Sequence, residues 1–278
     1  MIVIHTENIP LVSVVIPAWN AEKTLRATLE SVCRQTWESL EILVVDDGSA
    51  DGTWALLQSL AAGDSRIRPI HQENRGVSAA RNAALPLCTG KYTRFVDSDD
   101  LLPPDSIELL VRRAEDAQAD LVIAGYRSSL SGGSRVHALI REDREMELRE
   151  FLGWMHPRAN TLYVGVLWNK LFRTDNIQES GARFTGNLTY GEDFLFVMNY
   201  LTRVRRVSFT GAPVYSYIRH PNSMTFRQTL DSVRHPIANC RVKGVLYRGM
   251  CDTYRAAGLY DAYRRRLRMY LLRIALNE

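Results

Sequence analysis

The chain has 278 residues, 46% of them hydrophobic and 24% charged, with a formal net charge of +4. That is ordinary globular composition, long enough for a real core, in one large domain or one domain with a C-terminal extension. So mild a charge gives no ground for nucleic-acid binding.

Leu11 to Pro17, LVSVVIP, is a short β-branched apolar run stopped by proline and reads as a buried strand. NAEKTLRATLESVCRQT follows as a helix, with Asn20 as its N-cap and Leu25, Leu29 and Val32 at helical spacing. LEILVVDDGS is a second buried strand and DGTWALLQSLAA a second helix, capped near Asp51 or Thr53. IRPIHQ is a weak third strand, and GVSAARNAALPL a short helix ending near Pro86 and Gly90. KYTRFV is a fourth strand, from which DSDDLLPPDSIELLVRRAED turns through prolines into a helix; ADLVIAGY is a fifth strand. SSLSGGSRVH reads as a loop or hairpin and REDREMELREFLGWM as a charged helix. LYVGVLWNKLFR breaks the alternation, YGEDFLFVMNYLTRV is a helix opened by two acids, and RVSFTGAPVYSYIRH reads as two short strands around a Gly-Ala-Pro turn. From Phe226 onward the pattern is helical.

Strands alternating with helices imply β-α-β crossovers and a mostly parallel sheet. Ligands in such sheets sit beyond the carboxyl ends of the strands. PAWN, DDGS and DSDD end the first, second and fourth strands, so three polar clusters share that edge.

No C-x-x-C pair or zinc spacing joins the four cysteines (Cys33, Cys88, Cys240 and Cys251), so reduced thiols are expected. The opening MIVIHTENIP lacks a signal peptide's charged and apolar regions, and no run approaches the ~20 apolar residues that span a bilayer. The expected location is cytoplasmic, with peripheral contact on the inner face of the cell membrane as an open alternative.

The candidate residues each have a bland rival. Asp97 and Asp99 lie two apart on extended chain, so their side chains point the same way about 7 Å apart and can share a divalent cation. The rival is an acidic loop capping the next helix, a role open to Asp100 or Asp105. Asp46 and Asp47 can accept bonds from a base or a ribose, or simply build a turn. Glu192 and Asp193 sit at a helix N-terminus, which favours anions, or supply a general base. Arg75 and Arg81 can pair with phosphate oxygens; Tyr217, Arg219, His220 and Ser223 can meet a diphosphate or an acceptor. Among the tryptophans, Trp19 and Trp168 border polar motifs and are the ones expected to line a site. Tyr260, Tyr263, Leu267, Tyr270, Leu271 and Ile274 share one helical face flanked by Arg264, Arg265, Arg266, Arg268 and Arg273. That helix either packs with a solvated rim or lies on anionic lipid.

Together VSVVIPAWNAEKTLRATLESVCRQT, EILVVDDGSADGT, NRGVSAARNAAL, GKYTRFVDSDD, NKLFR and YGEDFLF, in this order from Leu11 to His220, resemble glycosyltransferase family 2, the inverting transferases with the GT-A fold. The resemblance implies a GT-A, Rossmann-like α/β domain over 1–225, with a nucleotide-sugar half at about 11–125 and an acceptor and base half at about 126–225. A helical extension would occupy 226–278. It also implies a nucleotide-sugar donor, most often a UDP-sugar, Mg²⁺ or Mn²⁺, and a saccharide or lipid-linked acceptor. By position Pro17, Ala18, Trp19, Asn20, Asp46, Asp47, Arg81, Asp97 and Ser98 would border the donor. Asp99, with Asp97, would hold the metal, and Asp193, supported by Glu192, would be the catalytic base. Trp168, Lys170, Arg219 and His220 are candidates for the acceptor or the diphosphate. Two rivals are a nucleotidyltransferase, whose G-x-G-x-R loop is missing from PAWNAEKTL, and a silent nucleotide-sugar-binding module. A dehydrogenase would also need glycines there.

Overall fold

Seven consecutive buried residues make the first strand, β1 (Val12–Ala18), and eight make the second, β2 (Leu40–Asp47). Strands buried on both faces need helices above and below. The next elements supply them: α1 (Leu25–Cys33), α2 (Thr53–Gly63), β3 (Ile67–Gln72), α3 (Val77–Ala84), β4 (Tyr92–Phe95) and α4 (Ser106–Asp116). As the spacing predicts, α1 buries Leu25, Leu29 and Val32. β3 carries Pro69 and lies at the end of the sheet, where a missing N–H is tolerated. This computed structural model describes residues 9–130, 133–159, 161–186, 188, 190–218 and 236–276.

The second half contains β5 (Leu121–Leu130), β6 (Gly133–His137), β7 (Arg144–Glu147), α5 (Leu148–Met155), α6 (Leu162–Gly165), β8 (Lys170–Arg173) and α7 (Thr174–Ser180). It continues with α8 (Glu192–Leu201), β9 (Arg206–Ile218) and two terminal helices, α9 (Pro236–Ala256) and α10 (Tyr260–Leu276). One sheet joins both halves in the order β3-β2-β1-β4-β8-β5-β9-β7, with β6 paired to β5.

The α/β architecture is as expected, but the sheet is parallel only in part. β3, β2, β1 and β4 run parallel, as do β5 and β9. β8 runs antiparallel to both β4 and β5, and so links two parallel blocks. The expected charged helix at 141–155 begins instead as β7. There Met146 alone is buried among exposed neighbours, and the strand pairs antiparallel with β9. The two strands expected around Gly-Ala-Pro are one, β9, with a register break opposite Gly125. A Cβ on Gly125 would lie 2.6 Å from the Gly211 carbonyl oxygen, so the bulge requires glycine there. SSLSGGSRVH does form a hairpin, β5 to β6.

Asn20 is not a helix cap. It has a φ of +49°, its Oδ1 accepts a bond from the Ala50 N–H at 2.8 Å, and α1 starts only at Leu25. Cys33, Cys88 and Cys251 are free thiols. Among the described residues no helix is long and apolar enough to cross a membrane. The expected boundary at 225/226 lies outside the described residues.

Candidate active site

Loops at the carboxyl ends of β1 and β2 bind each other. The Asn20 N–H donates to Ser49 Oγ at 2.9 Å, the Ala21 N–H to Thr53 Oγ1 at 2.8 Å and the Gly52 N–H to Glu22 Oε2 at 3.1 Å. Pro17 and Ala18 are buried at the end of β1, and Trp19, 57% exposed, stands clear of the rim. Of the sequence candidates on this edge, Trp19 presents the most apolar surface to a ligand.

The two aspartates of β2 point to opposite faces, as alternation requires. Asp47 accepts from Gln72 Nε2 at 2.6 Å, from the Arg75 N–H at 2.9 Å and from the Gly76 N–H at 2.8 Å. It thereby fixes the loop that enters α3. Asp46 departs from its expected place beside a ligand: its carboxylate is fully buried, with Oδ2 2.7 Å from His71 Nδ1, and Trp54 packs against that imidazole. Asp46 Oδ1 has no protein partner among the described residues, so His71 is what holds this carboxylate, on the face away from Asp47.

α3 carries Arg81 on its buried side, one turn beyond Ser78. The guanidinium is 5% exposed and joins three acids. Nη1 donates to Asp193 Oδ1 at 2.8 Å and lies 3.9 Å from Glu192 Oε1, and Nη2 donates to Asp97 Oδ1 at 3.0 Å. The Phe184 ring lies beneath it, 5.3 Å from centroid to Cζ, and Nε has no protein partner among the described residues. Burial alone would lower the Arg81 pKa; Asp193, Asp97 and Glu192 outweigh it and raise it. One cation therefore ties the end of β4 to the N-terminus of α8, two segments that sequence spacing leaves unrelated.

Glu192 and Asp193 begin α8 after Gly191, whose φ of +81° favours glycine. Burial pushes the Asp193 carboxyl up to about 7, and the negative charges of Glu192 and Asp97 act the same way against Arg81 and Lys170. A carboxyl poised there can take a proton at neutral pH.

Asp97, Ser98 and Asp99 are partly exposed, whereas Asp100 is buried. Asp100 serves neither as a ligand at the rim nor as a helix cap. It accepts from Tyr215 Oη and from the Ile218 N–H, both at 2.7 Å, while the Asp97 N–H donates to Tyr215 Oη at 3.1 Å. Burial, with Asp97 and Asp99 adding charge, pushes Asp100 up to about 8. Tyr215 thus latches the acidic loop to β9. Sequence reasoning missed it, although it shares a face with Tyr217 by simple alternation.

Trp168 is buried and stacks with the rings of Tyr215 and Tyr217, at centroid distances of 4.6 and 5.7 Å. Its contribution is to brace the latch. Lys170 does not face an acceptor: it is fully buried, and Nζ donates to the Tyr163 and Val166 carbonyls and to Asn169 Oδ1 at 3.0, 2.6 and 2.8 Å. With three acceptors its donors are used internally, and burial lowers its pKa to about 7. Arg219, His220 and Ser223 lie outside the described residues.

Among the described residues no three His, Cys, Asp or Glu side chains form a metal-binding group. Asp97 and Asp99 are partly exposed carboxylates at the ligand edge, with Asp97 Oδ1 bound to Arg81; oxygen donors of this type, one or two at a time, are what a hard divalent cation takes from a protein.

The family model described as Glycosyl transferase family 2 matches residues 13–180. The uncharacterized glycosyltransferase EpsJ of Bacillus subtilis (strain 168) is 31% identical over 218 residues, 78% of this chain and 63% of the relative. The putative glycosyltransferase EpsH of the same organism is 33% identical over 221 residues, with the same two coverages. The chain thus spans 63% of the length of these curated relatives. Staphylococcus aureus TarS 1–349, solved with UDP-GlcNAc, superposes with a TM-score of 0.67 at 21% identity over 88% of this chain and 73% of that one. The mannosyltransferase PcManGT of Pyrobaculum calidifontis, solved with GDP-Man and Mn²⁺, gives 0.57 at 18% identity over 92% and 75%.

Proposed function

The chain belongs to glycosyltransferase family 2 and has a GT-A fold, and from that premise we propose that it transfers a sugar, with inversion, from a nucleotide-sugar to a hydroxyl of a surface-polysaccharide or glycolipid acceptor. A UDP-sugar is the proposed donor and the cytoplasm the proposed compartment. The observation that carries this reading is Arg81, which holds Asp97 and Asp193 on either side of one guanidinium. In this reading a donor-side acid and a base-side acid are held near one another through that guanidinium.

In this reading Pro17, Trp19 and Asp47 border the nucleotide, with Asp97 and Ser98 next to the ribose and diphosphate. Asp99, with Asp97, would hold a Mg²⁺ or Mn²⁺ ion, which when bound offsets the charge gathering on the departing diphosphate. Asp193 accepts the proton of the acceptor hydroxyl as the new bond forms at the anomeric carbon. The bond from that carbon to the phosphate oxygen breaks on the opposite face, and its electron pair leaves with the nucleoside diphosphate. One displacement inverts the configuration. Arg81 keeps the base in place, and Glu192 adds the negative charge that helps keep it basic. Holding acceptor and donor in line supplies much of the remaining acceleration.

The test is a thermal-shift screen of nucleotide-sugars with Mn²⁺ present or absent, followed by donor consumption. A ligand at about 100 times its Kd stabilises the native state by about 2.7 kcal/mol. No shift with any nucleotide-sugar, and no donor turnover with a range of saccharide acceptors, would overturn the reading.

A further inference from the structure

The outward face of α10 has no part in the chemistry above. Arg264, Arg265, Arg266 and Arg268 are all exposed, and the helix has one acid, Asp261. Several exposed arginines elsewhere pair with carboxylates, Arg112 with Glu108, Arg144 with Glu150 and Arg255 with Asp252, while others such as Arg26 and Arg135 stand singly; the four on α10 are clustered. Among the described residues none of the four α10 arginines forms an ion pair; Arg266 lies over the Tyr263 ring, 5.4 Å from its centroid. Four uncompensated positive charges within five positions repel one another, so this face gains from any anionic surface placed against it.

Met269 narrows the choice of surface. It is 56% exposed, among the few large apolar side chains left in solvent, and follows Arg265 by four positions and Arg266 by three. Residues at those spacings are neighbours on a helix. An apolar side chain ringed by arginines matches the interface of a bilayer, where charges meet headgroups and the apolar group enters the acyl boundary. An acidic polysaccharide would use the arginines and leave Met269 in water.

The face is rigidly mounted. Leu267 is fully buried, and Tyr263 packs against Tyr254 and His156 at centroid distances of 5.3 and 6.0 Å. Beneath it α9 lies on α8: Thr253 Oγ1 donates to the Met198 carbonyl at 2.8 Å, and Leu246 abuts Gly191, directly before Glu192 and Asp193. A surface that captures α10 therefore orients the helix that carries the base.

We propose that the outward face of α10, built from Arg264, Arg265, Arg266, Arg268 and Met269, docks the protein on an anionic lipid bilayer. The docking surface stands independently of the proposed chemistry; only its consequence, that the cleft is turned toward a lipid-linked acceptor, rests on that reading.

The experiment is sedimentation of the 278-residue chain with phosphatidylcholine vesicles, with and without phosphatidylglycerol. The chain should bind only the anionic vesicles, and rising salt should release it. At about 1 kcal/mol per basic residue, removing three arginines weakens partitioning about a hundredfold. The variant R264Q/R265Q/R268Q should show that loss without a change in melting temperature, and R264K/R265K/R268K should keep binding. M269D should weaken binding even at low salt. Wild type that ignores anionic vesicles, a triple Gln variant that binds like wild type, or capture by immobilised polygalacturonate in place of vesicles would each overturn the proposal. Donor consumption without vesicles should be equal in wild type and the triple Gln variant. Wild type that turns over donor but ignores anionic vesicles therefore sinks only the docking surface, and wild type that binds them without turning over any donor sinks only the transferase reading.

Discussion

The half of the sheet from β1 to β4 and the half from β5 to β9 build their polar sites in different ways. In the first, neighbouring loops close on each other by short links: Asn20 to Ala50, Asp47 to Gly76 and Glu22 to Gly52. In the second, the functional ends are held from far away. Arg81 reaches Asp193 across 112 positions and Tyr215 reaches Asp100 across 115. The first half is a self-contained rim, while the second becomes part of a site only where it is bonded to the first. The junction between the halves, more than either half, is therefore where function is most exposed to damage.

Asp193→Asn tests the second half's single chemical contribution. It should lower transfer about 10²–10⁴-fold, the usual worth of a general base, while nucleotide-sugar thermal shifts stay near wild type. Turnover within a few-fold of wild type would show that the base lies elsewhere. Arg81→Ala breaks the junction and leaves three acids without their shared cation. Removing one partner of a buried pair costs about 3–5 kcal/mol, to be measured by urea unfolding, and transfer should fall as well. Unchanged stability would mean that the halves hold together without it.

Tyr215→Phe loosens the junction more gently. The variant keeps the ring against Trp168 and removes the hydroxyl that serves Asp100 and the Asp97 N–H. A loss of about 1–3 kcal/mol is expected for buried groups left unsatisfied, together with weaker donor binding. Chelation by EDTA acts on the first half alone: transfer should stop and return on adding Mg²⁺ or Mn²⁺, with no effect on Asp193. The smallest effect is that of pH. Asp193 works when ionised and its carboxyl is raised to about 7, so the rate should fall about tenfold per unit below that value and level off above it. A rate that is flat from neutral pH down to the ordinary carboxylate range would show that the environment of Asp193 does not tune its proton transfer.

Much of the first half was legible because its signals are local. Continuous apolar runs became β1 and β2, the spacing of Leu25, Leu29 and Val32 became the buried side of α1, and polar clusters after strands marked the ligand edge. Strand alternation even separates Asp46 from Asp47 in principle, but which face is sealed depends on His71 and Trp54, and these arrive from other elements. β7 is not legible because four residues with one buried side chain carry no strand period beside a charged helical pattern.

What the sequence alone determined is the alternation, the carboxyl edge and the chemical types gathered along it, since these follow from backbone geometry and side-chain period over a few residues. Only the tertiary structure decided that Arg81 faces three carboxylates instead of solvent, that Asp100 and Lys170 are spent inside, and that Tyr215 latches the acidic loop. Those outcomes are set by burial and by partners more than a hundred residues away in most cases. Coulomb and desolvation energies depend on distance through space, and spacing along the chain does not encode it.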